Sequence, residues 1–323
     1  MSSGNLLADR RLELARALKG AGDGPAALSL LEQALELAPD WAAAWFLMGE
    51  WQADAGQRDA AVAAYARSLA LDPRDRMGAI LRLALLGAAP QPTVLPPAYI
   101  AGVFDEYAPR FDTALLQALE YQVPELMWRA LAALLPEDAP LGVVLDLGCG
   151  TGLAGERFRA RAAWLEGVDL SAGMLREAGR RAIYDRLTAA EIGAYLAVPN
   201  RPYDLILAAD VLNYLGDLAP VMALVAQALA PGGRFAFSVE RADLDGYRLT
   251  AGQRYAHGEA YISAVVGTAG LRLEVLRHIV CRKEAGVPVP GLLLVARRPE
   301  NADQRLPGDA IGAQPLFSDE PMH

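Results

Sequence analysis

The sequence predicts an α/β protein, a doubly wound parallel sheet with an all-helical repeat segment in front of it. Three observations carry that expectation. From about residue 143 to 240, aliphatic runs of strand length alternate with helical patterns. One run, residues 143–147, opens into a turn with glycine at 148, 150 and 152. Residues 1–86 read as helices and repeat themselves with a period of 34 residues.

Length and composition bound the rest. A chain of 323 residues suits about two domains at ~150 residues each. Its apolar content of 53% is ample for sizeable cores. Net charge is -9, from 30 basic and 39 acidic residues, which argues against a phosphate-backbone partner. Lys19 and Lys283 are the only lysines, a bias we read as codon usage rather than chemistry. Cys149 and Cys281 give no disulfide framework, which fits a reducing compartment. No stretch reads as a signal peptide or approaches the ~20 apolar residues of a membrane span. A cytoplasmic protein with neither nucleic acid nor membrane as partner is expected, and no metal site.

In the first segment Leu14-Ala15 returns as Met48-Gly49, Gly22 as Gly56, Ala27 as Ala61, Leu31 as Tyr65 and Pro39 as Pro73. The second copy, with Trp45, Met48, Gly49, Gly56, Ala61, Tyr65 and Pro73, resembles the tetratricopeptide repeat. The first copy is degenerate, with Arg11 at the tryptophan position. A third helix over about 76–86 would cap the pair. So short an array wants support, because stacking supplies its core. It is expected to lean on the second domain or on a partner chain, as a packing or dimerisation surface or as a protein-docking groove. Residues 87–97 hold four prolines and read as an extended, semi-rigid linker. The second domain is placed at 98–298, and the Pro-, Gly- and acid-rich 299–323 is expected to be disordered.

The glycine turn decides the ligand class. Gly148 lets the strand reverse, and Gly150 lets a ligand approach the backbone. The dinucleotide fingerprint needs a third glycine where Leu153 stands. Asp146, near the strand end, would repel a pyrophosphate and suit a ligand with an ammonium group. VLDLGCGTG, residues 144–152, resembles motif I of the class I S-adenosylmethionine-dependent methyltransferases. From Tyr99 to Arg298 the chain is similar to bacterial tetratricopeptide-containing methyltransferases. That resemblance implies the Rossmann-like seven-stranded sheet of the class, S-adenosylmethionine as cofactor, and methyl transfer to an O, N or S nucleophile of a small molecule or peptide. Two other readings stay open on the residues: a non-catalytic adaptor with a structural or cofactor-sensing domain, and, more weakly, a nicotinamide oxidoreductase.

Site candidates follow in chain order. In YIAGVFDEYAPRFD, residues 99–112, the aromatics share a helical face. By the resemblance Tyr107 and Phe111 lie near the cofactor, where rings attract a sulfonium; packing onto the sheet is the alternative. Residues 115–135 read as one amphipathic helix. In the turn, Asp146, Gly148, Cys149 and Gly150 are cofactor candidates. Asp169 ends the second strand, 21 residues past Gly148, near the ~20-residue spacing of a ribose-binding carboxylate. Leu170 and Met174 belong to the family-like stretch G-x-D-x-S-x-x-M-L. Glu191 and Ile192 stand where the family contacts adenine, although a helix-start glutamate is the competing reading. Ala209 and Asp210 follow the fourth strand on the cofactor side, with Asn213 and Tyr214 toward the acceptor. Between the fifth and sixth strands, Arg248 and Arg254 are acceptor-carboxylate candidates. There too, His257 is a candidate base and Tyr255 a candidate donor. Structural packing is the competing role for both. Residues 271–279 and 292–296 should form the closing hairpin.

Overall fold

A computed structural model describes residues 2–113, 115, 119–198 and 201–300. The expected tail at 301–323 lies outside these residues. The expected 115–135 helix does not form as one, because 119–122 are not helical and the helix here runs only Val123–Ala132, with Pro124 in its first turn. Two helix pairs come first: α1 (Leu6–Gly20) with α2 (Gly24–Leu37), and α3 (Ala42–Asp54) with α4 (Arg58–Leu71). Small residues let the helices of a pair approach. A Cβ on Gly49 would sit 2.7 Å from the Tyr65 ring, so any side chain here would force that ring to move. α5 (Ala79–Leu85) closes the stack, shorter than the sequence suggested, because Asp75 caps its start through the amides of Ala79 and Ile80.

After α6 (Pro97–Tyr107), the short α7 (Phe111–Thr113) and α8 (Val123–Ala132), the sheet begins. Its strands are β1 (Gly142–Leu147), β2 (Ala162–Asp169), β3 (Arg186–Ala189), β4 (Tyr203–Ala208) and β5 (Leu229–Arg241), then a small hairpin of β6 (Tyr247–Leu249) and β7 (Tyr255–His257). The final pair is β8 (Arg272–Glu284) and β9 (Val287–Arg297). Interleaved are α9 (Leu153–Phe158), α10 (Ala172–Arg181), α11 (Ile192–Ala197), α12 (Ala219–Ala228) and α13 (Glu259–Thr268).

β3, β2, β1, β4 and β5 are parallel in that spatial order, and β9 runs antiparallel between β5 and β8. This is the expected seven-stranded Rossmann-like core. The structure adds β6 and β7, which extend the sheet where β5 outruns β4: Glu240 pairs with Ala256 and Arg241 with His257. Pro288 and Pro290 lie inside β9 rather than in its turn. β5 ends its pairing at Gly291, so the side lacking their N–H groups has no ladder to supply. Helices cover both faces. Leu145 and Leu147 pack into one core with Met222, Val225 and Ile262, while Val144 packs into the other with Met127, Ala130 and Phe158.

The repeats lean on the sheet domain, as their shortness requires. Leu81 of α5 is fully buried with Leu95, Leu249 and Tyr255. The proline-rich segment is therefore not a free spacer. Its carbonyls still accept: Thr93 O takes the Gly216 amide at 2.7 Å, and Pro92 O takes the Tyr255 hydroxyl. Leu95 N donates to Tyr214 O at 3.0 Å and Leu249 N to Gln91 Oε1 at 3.0 Å. Among the described residues no helix is long and apolar enough to cross a membrane.

Truncating Leu81 to alanine should leave a cavity at this seam. The expected loss is about 2–5 kcal/mol, read as a fall in denaturant midpoint. A loss below about 0.5 kcal/mol would show that the seam is not part of the cooperative core.

Candidate functional site

The carboxyl ends of the parallel strands meet one cavity of about 350 Å³. In an open α/β sheet this edge is where ligands bind. Gly148 and Gly150 both have positive φ, 63° and 54°. A Cβ on Gly148 would lie 2.2 Å from Val211, whereas one on Gly150 would meet nothing within 4 Å. Gly150 thus presents bare backbone to the open cavity.

Asp169 knits the edge together. One carboxylate oxygen accepts the Gly150 amide and the other the Ser171 amide, each at 2.8 Å. Burial pushes its carboxyl up, and those amides oppose the shift. Two oxygens fixed by backbone, on the cavity wall, match a vicinal diol. Leu170, Met174, Ala190 and Ile192 supply an apolar slot beside it. Glu191 lines the slot and caps α11 through the Ala194 amide at 2.7 Å, so the helix-start reading holds as well.

The roof is aromatic. Phe104, Tyr107, Phe111 and Tyr214 line the cavity with edge-to-face contacts, Tyr107 to Phe111 at 5.6 Å and Phe104 to Tyr214 at 5.5 Å. Two aspartates that the sequence reading passed over latch this roof down. Asp105 accepts from Ser171 Oγ at 2.6 Å and from the Gly173 amide at 2.7 Å, at the start of α10. Asp112 accepts from Thr151 Oγ1 and from Arg181, both at 2.5 Å. Both flank the aromatics already singled out, which is the signal that would have found them.

At the far end the carboxylates of the described residues are tied into an ionic cluster around two arginines. Arg282, 3% exposed, donates to Asp210 at 2.8 Å, to Glu284 at 2.8 Å and to Glu240. Arg254 donates to Glu240 at 2.7 Å and to Glu284. Burial pulls Arg282 down, but Asp210 and Glu240 outweigh it and hold the guanidinium charged. Asp210 is pushed up by burial against the pull of Arg282, and its backbone is left-handed at φ 57°, a strained state for a non-glycine residue. Arg282 escaped the sequence reading because it lies 72 residues from Asp210.

Of the candidates, Tyr107, Phe111, Gly148, Cys149, Gly150, Asp169, Leu170, Met174, Glu191, Ile192, Ala209, Asp210, Tyr214 and Arg254 share the cavity wall. Five do not. Asp146 sits on the same strand face as Val144, buried under the turn, with Tyr184 donating to it at 2.7 Å. It cannot meet a ligand's ammonium. Asn213 is buried, bridging Asp210 and the Glu240 amide. Arg248 is exposed on β6. Tyr255 is spent on Pro92 O. His257 is fully buried, its Nε2 lying 3.0 Å from Leu215 O and 3.1 Å from Gly216 O. Burial lowers its pKa to about 4, so it stays neutral as a structural donor. Alternation in β7 aims these side chains into the packing under the hairpin, not along the strand edge.

Comparison with known proteins agrees with this geometry. Residues 119–269 match the model of a methyltransferase domain, and residues 8–51 and 44–77 match tetratricopeptide repeat models. Methyltransferase-like protein 27 of Homo sapiens is 34% identical over 112 residues, 34% of this chain and 45% of that protein. Trans-aconitate 2-methyltransferase of Pseudomonas aeruginosa is 36% identical over 143 residues, 43% of this chain and 49% of the relative. The chain spans about half the length of the curated relatives it matches. Among solved structures, a Burkholderia thailandensis 1,6-didemethyltoxoflavin-N1-methyltransferase shares the fold at TM-score 0.50 and 19% identity, over 66% of this chain and 94% of that one. Over residues 119–269 the chain matches a methyltransferase domain, which follows segments that match tetratricopeptide repeats.

Asp146 gives a pH test. Burial raises its carboxyl to about 7, against the hydrogen bond from Tyr184. Between about pH 4 and 7 the unfolded chain releases a proton that the folded chain keeps, so stability falls as pH rises through that window. Asp146→Asn should flatten this slope in the ligand-free protein. It should unfold later than the parent at pH 8 and beside it at pH 4. Parallel pH profiles of the two melting temperatures would contradict the assignment.

Proposed function

We propose that the chain transfers a methyl group from S-adenosylmethionine to a small, largely apolar acceptor. The continuous cavity carries this reading. It runs from the Asp169 carboxylate, under the aromatic roof, to an apolar chamber of Ile100, Val103, Leu115, Leu119 and Tyr121 with Arg254 at its end. The donor set fits the cofactor: a carboxylate for the ribose hydroxyls, bare backbone at Gly150, an apolar slot with Glu191 at its rim for adenine, and no basic phosphate cradle. Bound there, the cofactor supplies an electrophilic methyl group on a positively charged sulfur.

The chain's own residues bind, align and dry the site. Tyr107 and Phe111 give an electron-rich face suited to a cation. Asp105 and Asp112 hold the roof shut and keep water out. The carboxylates at the acceptor end are taken up by Arg254 and Arg282, and His257 faces away. Among the described residues no carboxylate or imidazole at this end is left without a partner to remove a proton. The acceptor therefore arrives with its lone pair available, as a carboxylate or thiolate does, or loses its proton to solvent after transfer. The name of the trans-aconitate relative points to a small acid in that protein, which suits a base-free site. A chamber of this size favours a small molecule over a peptide, and the repeats serve packing rather than docking in this reading.

The experiment uses methyl-labelled S-adenosylmethionine with a panel of small apolar acids, thiols, phenols and amines. Transfer with turnover to at least one acid or thiol is expected. Asp169→Ala should weaken S-adenosylhomocysteine binding by about 10–100-fold, the loss of hydrogen bonds to a charged group. His257→Asn should keep transfer within about twofold of the parent, a change too small to register as lost transition-state stabilisation. Binding of the nucleoside without transfer to any acceptor would favour the cofactor-sensing adaptor instead. No binding at all would end the proposal.

A further inference from the structure

The acceptor chamber is not made by the methyltransferase sheet alone. Val94, Leu95 and Pro97, from the segment after the repeats, form part of its wall. That segment is a strap. Val94 bridges Leu215 in antiparallel fashion, Leu95 is fully buried, and Gln91, Pro92 and Thr93 are tied to the β6–β7 hairpin and to the turn after β4. The same hairpin delivers Arg254 to the cavity. One residue before it, Gln253 stands at the tip with φ 56°.

Gln253 is also where the repeats touch the hairpin. Its amide lies 2.7 Å from the Tyr99 hydroxyl of α6. With the amide nitrogen facing Tyr99, its oxygen accepts from Arg82 of α5 at 2.8 and 3.2 Å. That orientation is the one that satisfies both neighbours, since Arg82 can only donate. Arg82 is itself anchored inside the repeats, 2.8 Å from Glu50 of α3, and Glu50 takes the Tyr65 hydroxyl of α4 at 2.6 Å. A chain of hydrogen bonds thus runs from the interior of the second repeat to the residue beside Arg254.

We propose that Gln253 is a positioning residue through which Arg82 of the repeats holds the β6–β7 hairpin and the strap in place, so that the repeats build the acceptor end of the site and leave the cofactor end untouched. The proposal rests on reading that chamber as the acceptor site. Its physical basis is local. The strap and the hairpin have few ladder bonds of their own: β6 and β7 are three residues each, and the strap makes a single bridge. Short strands with so little pairing need external support to stay ordered. Leu81 supplies the apolar part of that support and the Arg82–Gln253–Tyr99 link the polar part. The cofactor turn is fixed independently by Asp169.

The test is amide hydrogen exchange on the full chain saturated with S-adenosylhomocysteine, with the affinity for that nucleoside measured alongside. Gln253→Gly accepts the left-handed backbone and removes the whole side chain with its amide. Gln253→Asn also tolerates that backbone but is one methylene too short to reach Arg82 and Tyr99, so it separates loss of the link from added backbone freedom. Gln253→Glu keeps two oxygens that can accept from Tyr99 and Arg82, and so serves as the rescue. In Gln253→Gly and Gln253→Asn, exchange should rise about tenfold or more in residues 91–96 and 247–257, as expected when local opening becomes easier by roughly 1.4 kcal/mol. Residues 143–152 should keep the parent rate, nucleoside affinity should stay within about twofold, and Gln253→Glu should restore the parent pattern. Unchanged exchange in the strap and hairpin would overturn the proposal, and so would an increase spread evenly over the chain. Loss of nucleoside binding by the parent protein is a different failure, that of the proposed function, and is read in the same titration before any variant is made.

Discussion

The site depends on one carboxylate held by backbone. Asp169 takes the Gly150 amide from the turn after β1 and the Ser171 amide at the start of α10. Neighbouring strands are already in register, Asp146 beside Gly167 and Leu147 beside Val168. The carboxylate carries that register past the end of the sheet into two loops that have no ladder of their own. A side chain fixed at both oxygens keeps its remaining lone pairs in a defined direction, toward the cavity. Pre-orientation of this kind removes part of the entropy a ligand would otherwise lose on binding. The rest of the edge follows from it. Ser171 caps α10 through the Met174 amide, and Asp105 fastens the aromatic roof to the same helix start.

The end of the cavity proposed for the acceptor is organised by a different device. Burying Asp210 and Glu240 would be costly without partners, and two arginines from β8 and the β6–β7 hairpin provide them, with the half-exposed Glu284 at the rim. Arg282 arrives from β8, Arg254 from the hairpin and Asp210 from the end of β4, so the cluster ties three elements together. The strained backbone of Asp210 is maintained because its amide, its carboxylate and its neighbour Asn213 are all engaged. Such a cluster fixes shape and occupies the carboxylates that compose it.

What the sequence disclosed was what depends on short spacing. The glycine turn, the acid closing β2 and the 34-residue period are all local signals, and each appears in the structure where its spacing puts it. Side chains that act across long separations left no such trace. Arg282 reaches Asp210 from 72 residues away, and Asp112 reaches Arg181 from 69. His257 invites a catalytic reading by its residue type, yet its place in a two-residue pairing with β5 turns it inward, where it serves the carbonyls of Leu215 and Gly216. Asp146 misleads for a similar reason: it lies in the motif, but strand alternation buries it. Proline density in residues 87–97 suggested a spacer because proline cannot donate. The structure shows a strap because proline and its neighbours can still accept.

The central claim is that this edge seats a phosphate-free sulfonium nucleoside by its sugar. A crystal structure of the full chain with S-adenosylhomocysteine tests it most directly. The account predicts both ribose hydroxyls within hydrogen-bond distance of the Asp169 carboxylate, the sulfur under Tyr107 and Phe111, and its open side toward Arg254. A nucleoside found away from Asp169, or an edge that takes up a diphosphate compound and leaves the nucleoside in solution, would contradict it.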